Sequence, residues 1–313
     1  MAHSAYLFPG QGSQNVGMGQ ELARSFTVAR EAFAEADAIL GYALSELCFT
    51  GPAETLTETR NAQPAILVTS IAALRALAAA RPELPPPACV AGHSLGEYSA
   101  LVAAGALSFA DAVRLTRVRG ELMAQAGAAH PGSMAAILRL ADEQVGAICA
   151  QAADETGDVV QVANYNSPGQ VVISGGPAGV AAAVALAKAA GGRAIPLAVS
   201  IPAHSALMAP AAEAFAAHLA ATPFAAPAIP IIGNVTAEPL TTPAQIRTEL
   251  VAQLTTPVRW TASVERLAAT GVTRCIEIGP GNVLTGLVKR INPALETANV
   301  ATPDDIAGLA IND

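Results

Sequence analysis

The most constraining feature of the chain is a serine between two glycines, in the segment 92–96 (GHSLG), which directly follows the short apolar run 88–91. This spacing matches the G-x-S-x-G nucleophile elbow, in which the glycines allow a sharp turn from strand to helix and leave the serine hydroxyl exposed. The pattern has only three fixed positions, so a plain glycine turn is the alternative interpretation. The apolar run before it and the helical pattern after it favour the elbow, and Ser94 is the candidate nucleophile.

A second glycine loop, 9–14 (PGQGSQ), follows the predicted strand 5–8. Its backbone amides could approach the same point as the amide of Leu95, and acyl transfer needs two such donors to stabilise an oxyanion. Gln11 is the candidate for the second donor. A phosphate-binding loop is the alternative, but the segment has neither the G-x-x-x-x-G-K-[ST] pattern nor a full G-x-G-x-x-G. We therefore disfavour nucleotide binding.

A serine nucleophile needs a base, and histidine is the usual base near neutral pH. The candidates are His3, His93, His130, His204 and His218. The first lies at the terminus, the second adjoins Ser94 and points away from it in an extended chain, and the last lies in an alanine-rich helical segment. Position 130 adjoins a Pro-Gly turn, whereas His204 follows the predicted strand 193–199, so His204 is the better candidate.

Arg119 lies on the apolar face of a helix predicted over 111–126. An arginine on the core side of a helix must meet an anion or suffer a large desolvation cost. That anion could be an internal aspartate or glutamate, or the carboxylate of a substrate, and the side chain could also extend past the edge of the core. The sequence pattern alone leaves these alternatives open.

The order of predicted elements indicates an α/β protein with an inserted module. Strand and helix alternate at both ends of the chain, as in a mostly parallel sheet covered by helices on both faces. Between them, residues 131–199 follow the β-α-β-β-α-β order of a ferredoxin-like fold. We predict a discontinuous large subdomain, 1–130 and 200–313, that carries a small subdomain, 131–199.

Composition restricts the partners. The net charge is −8, from 17 basic and 25 acidic residues, which disfavours nucleic acid. The N-terminus lacks the pattern of a secretory signal, and no apolar run is both long and uninterrupted enough to predict a membrane span. The cysteines at 48, 89, 149 and 275 have no metal-ligand spacing. We expect a cytoplasmic protein with reduced, buried thiols and no bound metal.

Several motifs together resemble the malonyl-CoA:acyl carrier protein transacylases. They are 8–14 (FPGQGSQ), 92–98 (GHSLGEY), 119–120 (RG) and 202–208 (PAHSALM), and the resemblance continues through 164–170, 253–258 and 277–281 to 289–290. It covers nearly the whole chain except about the last twenty residues. The family implies an α/β-hydrolase-like large subdomain and a ferredoxin-like small one, with the active site between them.

The resemblance also implies roles for individual residues and a ping-pong reaction. Ser94 would take the malonyl group from malonyl-CoA as an ester, with His204 as its base and a main-chain carbonyl at Gln253 orienting that histidine. The amides of Gln11 and Leu95 would form the oxyanion hole, and Arg119 would bind the malonyl carboxylate. No cofactor is expected on the enzyme, because the phosphopantetheine thiol that accepts the malonyl group belongs to the carrier.

Acyl carrier proteins are acidic, so the resemblance implies a basic docking surface in spite of the negative net charge. The matching positions are Lys188, Arg193, Lys289 and Arg290. The family is commonly monomeric, and we expect a monomer here. Preference for malonyl over methylmalonyl is not fixed by Ala203 and Ser205, which flank His204.

Three alternatives remain at the level of the sequence. A malonyl acyltransferase of a polyketide synthase or of a malonate decarboxylase system would carry the same site. A serine hydrolase or thioesterase would share the elbow, histidine and oxyanion hole, but would have no need for Arg119. A catalytically silent carrier-binding protein is disfavoured because both Ser94 and His204 are present.

Overall fold

The structure is a computed structural model that describes residues 3–197 and 199–310. Within these residues the strands are β1 (Ser4–Phe8), β2 (Cys89–Gly92), β3 (Ser133–Leu138), β4 (Val160–Ser167), β5 (Gln170–Gly175), β6 (Arg193–Pro196), β7 (Ile231–Ile232), β8 (Pro239–Leu240), β9 (Arg274–Ile278) and β10 (Glu296–Val300). The helices are α1 (Gln20–Ser25), α2 (Thr27–Leu40), α3 (Leu44–Thr50), α4 (Ala53–Thr57), α5 (Thr59–Ala80), α6 (Gly96–Ala103), α7 (Phe109–Ala129), α8 (Asp142–Thr156), α9 (Pro177–Ala189), α10 (Ala209–Ala221), α11 (Pro243–Ala252), α12 (Trp260–Ala269), α13 (Val283–Ile291) and α14 (Pro303–Gly308).

The larger sheet has the strand order β10-β9-β1-β2-β7-β8, and all its pairs are parallel except β7 with β8. Side chains alternate across β1, so that Ala5 and Leu7 belong to one apolar core and Tyr6 and Phe8 to another. Both faces of the sheet are therefore buried, which is why its strands are continuous apolar runs.

The register of the two central strands brings the two glycine loops together. Phe8 at the end of β1 pairs with Gly92 at the end of β2, and both strands run in the same direction. The loops that follow them leave the same edge of the sheet, where sites in parallel α/β sheets form.

The smaller sheet is antiparallel with the order β4-β5-β3-β6, and α8 and α9 pack on it around a separate apolar core. Its elements follow one another as β-α-β-β-α-β. The predicted fold class, a parallel α/β unit with an inserted ferredoxin-like unit, is confirmed. The subdomain boundaries proposed at 131 and 199 stay a prediction.

Some elements differ from the sequence-based expectation. The sequence pattern over 19–39 predicts one helix, but the structure interrupts it at Phe26, whose backbone is extended (φ −126°, ψ 123°). The strand predicted over 193–199 ends at Pro196, because Val199 N–H bonds locally to the Leu197 carbonyl instead of to a neighbouring strand. Conversely, the apolar run 159–163 predicts a short strand, but β4 continues to Ser167, because irregular pairing after Val162 lets the polar segment that follows remain in the sheet.

Helix α5 has the length and hydropathy of a membrane-spanning helix, but most of its surface is buried inside the protein. It packs against α2 and α7 in the main core. Its apolar character is that of a central core helix. Pro64 lies in its second turn and cannot donate to the Arg60 carbonyl, which accepts instead from the Arg117 guanidinium at 3.2 Å.

Candidate active site

Ser94 lies in a sharp turn between β2 and α6, with a left-handed backbone (φ 50°) that non-glycine residues rarely adopt. The flanking glycines are required by close backbone contacts. A Cβ on Gly92 would lie 2.0 Å from the Gly96 carbonyl, and one on Gly96 would lie 2.0 Å from the Phe8 carbonyl oxygen. The segment 92–96 is therefore a strained strand-to-helix elbow, as the motif predicts.

His204 is the base candidate that the structure brings to the serine. Its Nε2 lies 2.8 Å from Ser94 Oγ, and its Nδ1 lies 2.7 Å from the Gln253 main-chain oxygen. Since a carbonyl only accepts, Nδ1 carries the proton and Nε2 is free to accept the serine proton. Burial lowers the pKa of His204 to about 3, and the positive charge of Arg119 adds to this effect. The imidazole is neutral near pH 7 and can act as a general base.

Arg119 on α7 lies beside the same hydroxyl and is 1% exposed. One terminal nitrogen donates to Gln63 Oε1 at 2.8 Å, and the other donates to Gln253 Oε1 at 2.9 Å and to Ser94 Oγ at 3.2 Å. All three acceptors are neutral. None of the ion pairs found in residues 3–197 and 199–310 involves Arg119, and its Nε lacks a partner there. The guanidinium is thus a buried cation held in place by uncharged groups.

The two candidate oxyanion donors occupy equivalent places on neighbouring strands. Gln11 follows Phe8 by three residues, and Leu95 follows the paired Gly92 by three. The loops are in direct contact, since a Cβ on Gly10 would lie 2.4 Å from the His93 carbonyl oxygen. Across the described part of the chain, neither the Gln11 nor the Leu95 amide N–H has an acceptor. Both donors are available to a substrate oxygen.

Gln253 connects three parts of the site. Its main-chain oxygen orients His204, its side-chain oxygen accepts from Arg119, and its side-chain nitrogen donates to the Glu97 carboxyl group and, at 3.1 Å, to the Ser94 carbonyl. Glu97 is fully buried, and burial with the nearby Glu249 raises its pKa well above the usual range. A mainly neutral Glu97 leaves the charge of Arg119 available for an incoming anion.

Sequence reasoning missed Gln63 and Glu97, both of which are fully buried. Each is a polar residue on an otherwise apolar helical stretch, and Glu97 comes just after the elbow. That mismatch of a polar residue with an apolar face is the signal that could have found them.

The remaining histidines have other positions. His93 Nε2 lies 2.8 Å from Asn166 Oδ1, and its ring packs against Trp260. His218 lies on α10, and both His3 and His130 are exposed. None of these four is within hydrogen-bonding distance of Ser94 in the described part of the chain.

The four candidate docking cations are all exposed and lie on three elements. Lys188 is in the last turn of α9 and Arg193 begins β6, whereas Lys289 and Arg290 are in the last turn of α13. Arg290 donates to Gln170 Oε1 at 2.5 Å, which links α13 to the smaller sheet. Lys188 and Arg193 thus belong to the smaller unit, whereas Lys289 and Arg290 belong to a helix that packs against the larger sheet.

Comparisons with known proteins show the family to which the chain belongs. Residues 5–313 match the acyl transferase domain family. The chain is 51% identical over 307 residues to the malonyl CoA-acyl carrier protein transacylase of Bacillus subtilis, which covers 98% of this chain and 96% of that protein. The chain belongs to the malonyl CoA-acyl carrier protein transacylase family. The Escherichia coli K12 transacylase is 49% identical over 98% of both chains.

Solved structures of transacylases have the same fold. The acyl carrier protein S-malonyltransferase of Vibrio cholerae superposes with a TM-score of 0.95 at 48% identity, covering 99% of this chain and 100% of that one. A malonyl-transacylase solved in complex with a type II polyketide synthase acyl carrier protein gives a TM-score of 0.93 at 44% identity, covering 98% of both. The family resemblance expected from the motifs is confirmed over nearly the full chain.

Proposed function

We propose that the protein transfers the malonyl group from malonyl-CoA to the phosphopantetheine thiol of an acyl carrier protein, and so supplies extender units for fatty-acid synthesis. The observation that carries the proposal is the buried Arg119 guanidinium, which has only neutral acceptors and donates to Ser94 Oγ at 3.2 Å. A planar guanidinium suits a carboxylate. A buried cation next to the nucleophile favours an acyl group that ends in a carboxylate.

In the first half-reaction His204 Nε2 takes the proton of Ser94 as Oγ attacks the thioester carbonyl carbon of malonyl-CoA. The carbonyl oxygen becomes an oxyanion that the Gln11 and Leu95 amides stabilise. When the intermediate collapses, the carbon–sulfur bond breaks, the coenzyme A thiolate leaves, and the imidazolium returns the proton to it. The malonyl-Ser94 ester remains.

In the second half-reaction the same groups act in reverse order. His204 removes the proton from the carrier's phosphopantetheine thiol, the thiolate attacks the ester carbonyl, and Ser94 leaves as it regains the proton. Throughout both steps the Gln253 carbonyl keeps Nδ1 protonated and fixes the orientation of the ring. Both half-reactions use one site, which gives ping-pong kinetics.

We also propose the carrier contact. Lys188 and Arg193 are exposed on the smaller unit, and Lys289 and Arg290 are exposed on α13. An acidic partner would be attracted to these cations even though the net charge of the chain is −8. The four free, buried cysteines fit a reducing compartment, so we place the protein in the cytoplasm. We also propose that it acts as a monomer.

The test is incubation with radiolabelled malonyl-CoA, with and without a phosphopantetheine-bearing acyl carrier protein. Transfer of label to the carrier, with little free malonate when the carrier is omitted, supports the proposal. Rapid release of free malonate without carrier would instead indicate a thioesterase. Comparing carriers of fatty-acid and polyketide synthesis decides which pathway it serves.

A further inference from the structure

Asn234 is a fully buried residue that contacts the backbone of the elbow and not the reacting atoms. Its Nδ2 donates to the Gly92 carbonyl at 2.7 Å, and its Oδ1 accepts from the Ser94 amide at 2.6 Å. One side-chain amide thus bridges the residues on both sides of His93. It lies just after β7, the strand next to β2 in the sheet.

The bridge acts where the chain is strained. Ser94 has a φ of 50°, a conformation that costs free energy and persists only when surrounding contacts enforce it. Neither hydrogen bond of the bridge belongs to the sheet or to α6, and both depend on a side chain 140 or more residues away in sequence. The flanking glycines make this turn sterically possible, and the Asn234 amide adds a long-range constraint that holds it.

The bridge also decides which amides can serve as oxyanion donors. Ser94 N–H is taken by Asn234, whereas the N–H groups of Leu95 and Gln11 have no acceptor within the described residues. Because the elbow is fixed at Gly92 and Ser94, the direction of the next amide, that of Leu95, is fixed with it.

Asn234 is itself anchored on a rigid turn. Its carbonyl accepts from Arg259 N–H at 2.8 Å, and the neighbouring Val235 N–H donates to the Glu249 carboxyl group at 2.6 Å. Gly233 N–H donates to the Glu238 carbonyl at 3.1 Å. These three hydrogen bonds hold the turn, so the Asn234 side chain keeps a fixed position relative to the elbow.

We propose that Asn234 is a positioning residue that holds Ser94 Oγ and the Leu95 amide in the geometry needed for acylation. This inference rests on the proposed function, because it assumes that Ser94 forms the acyl ester. It predicts a loss in the rate of the chemical step at saturating substrate. Binding of malonyl-CoA should be little affected, since Asn234 has no hydrogen bond with Arg119.

The experiment measures formation of the acyl-enzyme by rapid quench and intact mass, over a range of malonyl-CoA concentrations. Asn234→Asp keeps the volume and the acceptor but, once ionised, removes the donor to Gly92. Asn234→Ala removes both bonds and is measured alongside, so that a folding defect in one variant leaves the other. Ser263→Ala is the matched control, because Ser263 is buried and its hydroxyl approaches the Gly233 carbonyl at 3.4 Å without touching the elbow.

We expect both Asn234 variants to acylate about 10- to 100-fold more slowly at saturation, since small misplacements of reacting groups cost this much. The malonyl-CoA concentration at half-maximal rate should change less than about threefold. Ser263→Ala should acylate at the wild-type rate even if its melting temperature falls. Folded Asn234 variants with wild-type saturating rates would overturn the inference, whereas a wild type that forms no adduct at Ser94 would overturn the proposed function instead.

Discussion

Replacing Arg119 with alanine tests the basis of substrate selection. The change removes a guanidinium that is 1% exposed and whose terminal nitrogens donate to Gln63, Gln253 and Ser94. With malonyl-CoA bound, the variant would leave the malonyl carboxylate in the site without its cation. With acetyl-CoA there is no carboxylate to lose its partner.

The size of the effect follows from that geometry. Truncating one partner of a buried, hydrogen-bonded charge pair costs about 2–4 kcal/mol. At 1.4 kcal/mol for each factor of ten, kcat/KM for malonyl-CoA should fall roughly 30- to 700-fold. The variant also leaves two buried amide oxygens, those of Gln63 and Gln253, without their donor, and each such loss costs about 1–3 kcal/mol of stability. The ratio of the two substrates is therefore the informative quantity, because a loss of stability affects both.

The assay is initial-rate transfer to a carrier, with malonyl-CoA and acetyl-CoA compared in the wild type, Arg119→Ala and Arg114→Ala. Arg114 is the matched control, because it lies on the same helix but is 59% exposed in its ion pair with Asp111. We expect the malonyl-to-acetyl preference to collapse only in the Arg119 variant. Equal losses on both substrates would refute the argument that this cation binds the carboxylate.

Two further predictions concern the base and the carrier. Because the pKa of His204 is lowered to about 3, the saturating acylation rate should stay flat from pH 8 to about pH 5, and a fall centred near 6.5 would contradict a neutral base. Below pH 6.5 the unfolded chain protonates this histidine, whereas the folded protein does not. The free energy of unfolding should therefore decrease as the pH falls from 6.5 towards 3. Denaturant titration of wild type and His204→Gln measures this difference. Replacing Lys289 and Arg290 with Glu should raise the KM for the carrier several-fold in steady-state transfer. Acylation by malonyl-CoA should stay unchanged. An unchanged KM for the carrier would show that these residues are not part of the docking surface.

The sequence predicted the parts of the site that local patterns determine. The elbow around Ser94 depends on glycines within two residues, and Gln11 and Leu95 follow strands that the apolar runs reveal. His204 emerged by elimination, and its 2.8 Å distance to the serine oxygen agrees with that choice. The order of strands and helices along the chain was enough to predict the two sheets, because this order and the lengths of the connections leave few other arrangements.

The rest depends on contacts between distant segments. Gln63 is 56 residues from Arg119, and Asn234 is 140 residues from Ser94, so no local pattern relates either pair. The amide oxygens that hold Arg119 were not among the partners expected from the sequence, which were an internal acid or a substrate carboxylate, because a buried arginine has the same helical pattern with any of these partners. The break at Phe26 also escaped prediction, because the apolar residues keep helical spacing across Phe26 while its backbone is extended.

The most direct test of a malonyl-Ser94 intermediate is mass spectrometry of the intact protein after brief exposure to malonyl-CoA, followed by peptide mapping. We expect one malonyl adduct per chain, on the peptide that contains Ser94, absent in Ser94→Ala and discharged when the carrier is added. An adduct on another residue, or transfer to the carrier that persists in Ser94→Ala, would contradict it.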